Sequence, residues 1–457
     1  MSIKEDINKG IAKKRKISDI SPTRLIVFSF VTLILTGATL LTLPMASNDG
    51  RSIGFINALF TATSASCVTG LVIADTKTQW TLFGQIVILV MIQVGGLGII
   101  TLATFFSVLL GRKVSMKGRV LAQESISYFS LQNVLGLIKG IVLVTIYIEF
   151  IGALLLSSRF VPQYGIKGLY MGVFHSISAF CNAGFDLIGG YRSLTDYNND
   201  PIVIYTTALL IIIGGLGFMV WRDLYEHPNL RGLFLHTKLV LIMTGSLIFG
   251  GAIFFMIFEY ANQDTMGSLN IFGKINSAFF QSVTCRTAGY NSLPINSMTE
   301  VSKMGSILLM FIGAAPGSTG GGIKVTTAGV ILMAIISNIR GHENTIVLDR
   351  RIPNAVVNKA LAIAGLSLSV IFVVTTMIIG IEKMNFINVL FEVTSAFGTV
   401  GLSTGITPTL HTMSKLLLIF TMFLGRVGPL TFAVAIALKA RKENKKIIYP
   451  EGKIMVG

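Results

Sequence analysis

The sequence predicts an all-α polytopic membrane protein built from four tandem units. Each unit is a spanning helix, a half-length re-entrant helix and a second spanning helix, giving eight crossings in all. Three observations carry this. Of 457 residues 52% are hydrophobic and 13% charged, with a mean hydropathy of +0.73, where a soluble chain carries roughly a quarter charged residues. A short stretch occurs four times, as Phe60–Gly70, Phe174–Gly184, Phe279–Gly289 and Phe391–Gly401, and self-similarity at fixed spacing marks a repeat architecture. The basic residues gather in alternate linkers, which identifies those linkers as cytoplasmic.

Taken in order, residues 1–23 form a basic arm, and the four units cover 24–111, 134–222, 238–340 and 359–439, with a tail at 440–457. The first apolar run, from Arg24 to Leu43, is too long for a signal peptide and ends in Leu43-Pro44, so it reads as a retained span. Next comes the half-length segment 53–66, whose 14 residues reach roughly 21 Å at about 1.5 Å per residue. A hydrocarbon core is about 30 Å thick, so the segment enters part-way and returns. The run 82–110 then crosses back. The trio recurs as 134–156, 169–180 and 202–221, as 239–260, 271–284 and 307–336, and as 360–381, 386–397 and 416–438.

Charge fits this plan. Lys13, Lys14, Arg15 and Lys16 precede the first span, Arg112, Lys113, Lys117 and Arg119 fill one linker, Arg340, Arg350 and Arg351 another, and Lys439, Arg441 and Lys442 the tail. The net charge of +16 is therefore topology and not a nucleic-acid surface. Both termini are expected on the cytoplasmic side. Cys67, Cys181 and Cys285 each lie just before a repeat glycine and read as small core residues, with neither a disulfide framework nor zinc spacing.

The half-length helices and the glycines that close them carry the chemistry. Irregular backbone at membrane depth survives where it is buried in protein or lines water. Each half-helix aims a C-terminal end worth roughly −0.5 charge at the membrane centre, so four converging ends favour a cation. Glycine lets successive carbonyls point inward with φ > 0, and rings of carbonyls are how potassium channels select. Gly70, Gly184, Gly289 and Gly401 are expected at such a ring. Serine stands six residues before three of them (Ser64, Ser178, Ser395), with Val283 the exception.

A second glycine cluster falls inside each unit's last span: Gly95-Gly-Leu-Gly98, Gly214-Gly-Leu-Gly217, Gly313-Ala-Ala-Pro-Gly317 and Gly425-Arg-Val-Gly428. The first two are expected to serve close helix packing. None is a dinucleotide fingerprint or a Walker A loop. The third opens Gly313–Gly322, with five glycines and a proline in ten residues. A continuous helix there would forfeit roughly 8 kcal/mol at about 1 per Gly and 3 per Pro, so the helix should break near mid-membrane and line the cavity as a gate. Arg426, inside the last span, is expected to face the cavity and pair with carbonyls or a carboxylate, as packing anchor or as gate partner. Lys324 either reaches the cytoplasmic interface or sits beneath the gate. Arg286, three residues before Gly289, is expected to brace its half-helix from behind.

Val68-Thr-Gly-Leu71, Asn182-Ala-Gly-Phe185, Arg286-Thr-Ala-Gly-Tyr290, Gly398-Thr-Val-Gly-Leu402 and Gly425-Arg-Val-Gly-Pro429 together resemble the Trk/Ktr/HKT superfamily of potassium transporters, and within it the Ktr pore subunits, over essentially the whole chain. The resemblance implies pseudo-fourfold M1–P–M2 units and K⁺ held at backbone carbonyls of Val68, Thr69, Gly70, Asn182, Ala183, Gly184, Thr287, Ala288, Gly289, Thr399, Val400 and Gly401. It implies a gate of Gly313, Pro316, Gly317, Ser318, Thr319, Gly320, Gly321, Gly322 and Lys324, with Arg426 as its partner. It further implies a homodimer in a bacterial plasma membrane, a cytoplasmic ring of nucleotide-binding RCK subunits (KtrA/KtrC type) and stimulation by sodium. Membrane lipids are expected partners and nucleic acid is not. No cofactor, catalytic constellation or metal-ligand cluster is expected on this chain. A Na⁺- or H⁺-coupled symporter of the Trk type stays open as the alternative.

Overall fold

The computed structural model describes residues 22–111, 114–126, 134–429 and 431. The basic arm up to residue 21, Arg112, Lys113 and the tail from 432 onward lie outside the described residues.

The first unit holds α1 (Pro22–Thr42), α2 (Phe55–Ser66), the short α3 (Thr76–Gln79), α4 (Leu82–Leu97) and α5 (Ile99–Leu109). A linker helix α6 (Met116–Ser125) leads to the second unit: α7 (Val134–Tyr164), α8 (Lys167–Phe180), α9 (Pro201–Leu216) and α10 (Phe218–Glu226). The third holds α11 (Leu235–Glu259), α12 (Ile271–Thr284), α13 (Glu300–Phe311) and α14 (Val325–Ile339). A two-stranded ribbon, Ile346–Val347 with Arg350–Arg351, precedes the fourth: α15 (Asn354–Glu382), α16 (Phe386–Gly398) and α17 (Thr412–Val427). This is the all-α, four-unit architecture that the repeat predicts. The linker helix α6 and the ribbon are additions that no periodicity announced.

Among the described residues four helices (α1, α7, α11, α15) are long and apolar enough to cross a membrane, and two bent pairs raise the figure to six. About a third or less of each long helix's apolar window is buried, 28–33%. The remaining faces, with Phe28, Leu143, Phe150, Phe249 and Phe372 exposed, present apolar side chains to lipid. The half-length helices are the reverse: α2, α8, α12 and α16 bury most of their side chains. They form the core around which the long helices stand.

Local chemistry sets the boundaries. Asp200 caps α9 by accepting from Ile202 and Val203 N–H ahead of Pro201, which needs no donor partner at that position. Asn270 caps α12 through Gly273 N–H at 2.7 Å and Thr299 caps α13 through Ser302 N–H at 3.2 Å.

The last spans correct the sequence reading. The runs 82–110 and 202–221 were expected to be continuous, but each is broken by a 90° bend, at Gly98 and Gly217. These glycines sit at φ 84° and 90°, a conformation that L side chains avoid. Gly428 ends α17 with φ 91° in the same way. In the third unit the interruption widens to the irregular stretch between α13 and α14, where the glycine and proline count placed a break.

Packing, the expected role of the first two clusters, belongs to their opening glycines. A Cβ on Gly95, Gly214 or Gly425 would overlap the carbonyl oxygen of Ser66, Phe180 or Phe397, each at the end of its own unit's half-length helix. Lipid supplies no hydrophobic drive between helices, so close backbone approach through small residues supplies the contact. In the third unit the corresponding Gly313 instead meets Gly321 O of its own loop. The repeat holds three times and is broken once.

Candidate functional site

The half-length helices end in Cys67, Cys181, Cys285 and Thr399 as C-caps. The cysteines are free and buried, as small core residues are. At the cap in the fourth unit and just beyond it in the others, the backbone turns left-handed twice in three residues, at Val68, Asn182, Thr287 and Thr399 (φ 51°, 58°, 67° and 49°) and at Gly70, Gly184, Gly289 and Gly401 (φ 90°, 71°, 80° and 95°).

These loops close on one another. A Cβ on Gly70 would overlap Ala183 O, one on Gly184 would come within 2.6 Å of Ala288 O, one on Gly289 would overlap Val400 O, and one on Gly401 would overlap Thr69 O. Each unit thus meets the next and the fourth meets the first. The carbonyls of Thr69, Ala183, Ala288 and Val400 each lie against a neighbouring loop's glycine, so the four contacts form a closed ring, and a side chain at any of the glycines would strike neighbouring backbone. The Thr69 and Thr399 hydroxyls are buried without a protein partner.

The repeated serines tie the ring to the half-helices. Ser64 and Ser395 accept Gly70 and Gly401 N–H through Oγ at 3.1 Å, and Ser178 Oγ donates to Phe185 O at 2.8 Å. In the third unit Val283 has no hydroxyl and the neighbouring Thr284 donates to Tyr290 O at 2.7 Å. The phenylalanine shifts equally: Phe280 is fully buried where Phe60, Phe174 and Phe391 are, and Phe279 is half-buried. Sequence alignment of the third copy on Phe279 and Val283 missed this shift, which the adjacent Phe280 and Thr284 could have signalled.

Residues 313–324 lie directly against the ring at the end where the half-length helices stop. A Cβ on Gly320 would overlap Thr287 Oγ1, one on Gly321 would overlap Thr399 Oγ1, and one on Gly322 would sit 3.2 Å from Gly398 Cα. The segment is held by the other units' glycine clusters. Ala315 N–H donates to Gly215 O (3.0 Å), Thr319 N–H to Gly214 O (3.2 Å), Gly322 N–H to Gly425 O (3.2 Å), and Gly317 O accepts from Phe218 N–H (2.9 Å). Those clusters therefore serve as acceptors as well as packing surfaces, a role that spacing alone did not reveal.

Both cations find carbonyls. The Arg426 guanidinium donates to Thr319 O in the loop, to Gly95 O at 2.5 Å and to Gly96 O at 3.1 Å. Lys324 Nζ folds back onto Gly320 O at 2.8 Å. Pro316 and Ser318 complete the loop, with Ser318 Oγ on Ala315 O at 2.6 Å. Arg286 is buried and lines a small pocket with Ile211, Gly215, Ile248 and Val283. Beneath the loop a cavity of about 490 Å³ is bounded by Gly96, Ile126, Gly317, Lys324, Thr327 and Arg426. Asp186 follows Gly184 by two residues on the chain leaving the ring, and there burial pushes the carboxyl up, to about 6, with Asp75 adding to the rise.

Residues 11–446 match the TrkH family, described as cation transport proteins. The chain belongs to that family. It is a transport protein, as its relatives are, and not an enzyme. It is 43% identical to Ktr system potassium uptake protein B of Bacillus subtilis over 96% of this chain and 97% of that one. It is 40% identical to the potassium/sodium uptake protein NtpJ of Enterococcus hirae over 98% and 100%. The crystal structure of the potassium transporter TrkH from Vibrio parahaemolyticus shares the fold at 16% identity, with a TM-score of 0.73 over 92% of this chain and 85% of that one.

Proposed function

We propose that this chain is the pore-forming subunit of a Ktr-type potassium uptake system, working in the plasma membrane with both termini cytoplasmic. K⁺ sheds its hydration shell onto carbonyls of the four glycine loops, which act as the selectivity filter, and the segment 313–324 is the gate. The observation that carries this reading is the cyclic contact of Gly70, Gly184, Gly289 and Gly401, each against the carbonyl preceding the next. A ring of carbonyls with no room for a side chain is suited to a bare cation. The four half-helix C-termini add partial negative charge at the same point. Near-complete coverage of a Ktr potassium uptake protein at 43% identity supports K⁺ as the cargo.

The loop blocks the inner end of the ring and hangs directly on the second and fourth units and, through Arg426, on the first, so a movement of any of them is transmitted to it. A homodimer, a nucleotide-binding RCK ring and stimulation by Na⁺ complete the proposal through the family resemblance. The second reading, a Na⁺- or H⁺-coupled symporter, draws on the relative named for potassium and sodium uptake.

The test is rubidium uptake in cells lacking other K⁺ systems, with and without Gly401→Ser. The expected outcome is loss of K⁺ selectivity, because the new side chain overlaps Thr69 O. Selectivity indifferent to that substitution overturns the filter assignment. Labelled sodium entering in step with K⁺ would favour the symporter.

A further inference from the structure

Glu149 is a buried ionisable group that the transport reading leaves unused. It stands at the middle of the 31-residue α7 and is 8% exposed. An ionisable side chain at that depth is costly and needs a partner. Among the described residues Glu149 belongs to none of the ion pairs.

Its partners point to the second loop. Glu149 Oε2 accepts from Gln93 Nε2 of α4 at 3.2 Å, and the Cys181 thiol lies 3.6 Å from Gln93 Oε1 and 4.0 Å from Glu149 Oε1. Ser176, one turn earlier on α8, donates to the Glu149 main-chain oxygen at 2.6 Å. Cys181 is the C-cap of α8 and the last residue before Asn182 turns left-handed. One turn further along α4, a Cβ on Gly96 would lie 2.7 Å from Cys181 Sγ, and Gly96 O is an acceptor of Arg426. Cys181 is therefore packed against one face of α4, between the Glu149–Gln93 pair and the Gly96 backbone whose carbonyl accepts from Arg426. A tilt at Cys181 passes directly into the Asn182 and Ala183 carbonyls.

We infer that Glu149 is a positioning residue for cation selectivity, holding the inner end of the second-unit loop through Gln93 and Cys181. The inference rests on reading the four loops as the filter. Packing alone predicts that removing the side chain changes yield and total flux for all cations alike. Positioning predicts a change in their ratio.

The experiment measures rubidium and sodium uptake by the full chain in proteoliposomes. Glu149→Ala is expected to lower the rubidium-to-sodium ratio about tenfold, the effect of one lost buried hydrogen bond. Glu149→Gln keeps an acceptor for Gln93, and the exchange Glu149→Gln with Gln93→Glu keeps one carboxyl and one amide, so both should hold the ratio within about twofold of wild type. Should Glu149→Ala fail to assemble, Gln93→Ala takes its place with the same expected loss. A wild-type ratio in a well-assembled Ala variant, or a Glu149→Gln variant as unselective as Ala, overturns the inference. Gly401→Ser run alongside separates the two levels. An unchanged ratio there overturns the filter reading itself, and a changed ratio there beside an unchanged one in Glu149→Ala overturns the role of Glu149 alone.

Discussion

Arg426 is the strongest single tie between the loop 313–324 and the rest of the protein, and replacing it by alanine gives a calculable effect. Its guanidinium spans Thr319 O in the loop and the Gly95 and Gly96 carbonyls of the first unit. Only the first bond is lost when the loop moves away. A hydrogen bond to a charged group contributes about 1.5–3 kcal/mol, and 1.4 kcal/mol is about tenfold in an equilibrium constant. Losing it should raise the population of displaced loop roughly 10- to 100-fold, and rubidium flux into proteoliposomes should rise until the displaced state dominates. Lysine, a point charge without the guanidinium fork, should fall between the two. Removing a positive charge from the path would also raise cation flux, and deletion of Pro316–Gly322 separates the causes. If Arg426 acts as a lock, Arg426→Ala adds less than about twofold in the loop-deleted background, because the two changes share one partner. If it acts as a charge barrier, its effect persists there. Flux unchanged or reduced in a well-incorporated Arg426→Ala protein would refute the lock.

Other expectations follow from neighbouring contacts. Gly217→Ala places a Cβ 2.7 Å from Pro316 O at φ 90°, so it should cost about 1–2 kcal/mol from the left-handed strain alone, read as a lowered Tm, and loosen the loop, read as raised flux. Ser395→Ala removes the acceptor of Gly401 N–H; at about 0.5–1.5 kcal/mol per hydrogen bond the rubidium-to-sodium ratio should fall several-fold, less than in Gly401→Ser. Asp186, with its carboxyl pushed up to about 6 by burial, is charged above that pH and neutral below it. A carboxylate at a pore mouth concentrates cations, so the apparent KM for K⁺ should rise as external pH falls from about 7 to 5. Asp186→Asn should hold the KM near its acid value at every pH.

Much of the fold was legible because membrane insertion turns composition into geometry. A run of apolar residues about as long as the bilayer is thick must span it, and one half that length must turn back. The half-length helices 271–284 and 386–397 fell within a residue of the observed α12 and α16. The third-unit break was legible for the same reason, since five glycines and a proline within Gly313–Gly322 are incompatible with helix. Less legible were the bends at Gly98 and Gly217. Glycines inside an apolar run also serve close packing of a straight helix, as Gly95 and Gly214 do, and only the positive φ at Gly98 and Gly217 turns the chain there. The shift of the third unit to Phe280 and Thr284 was hidden because two adjacent phenylalanines offer two registers, and only burial chooses between them.

The repeat by itself determined that four half-length helices exist and that each delivers a glycine to membrane depth, because spacing and hydropathy are local properties of the chain. Only the tertiary structure decided that the four glycines close head to tail into one ring and that the third loop hangs on the carbonyls of the other units. It also decided that Arg426 and Lys324 spend their charges on backbone oxygens. Apart from the short return of Lys324 onto Gly320, those are contacts between residues about a hundred or more positions apart, and a backbone carbonyl, identical in every residue, leaves no mark in the sequence to say which donor it will meet.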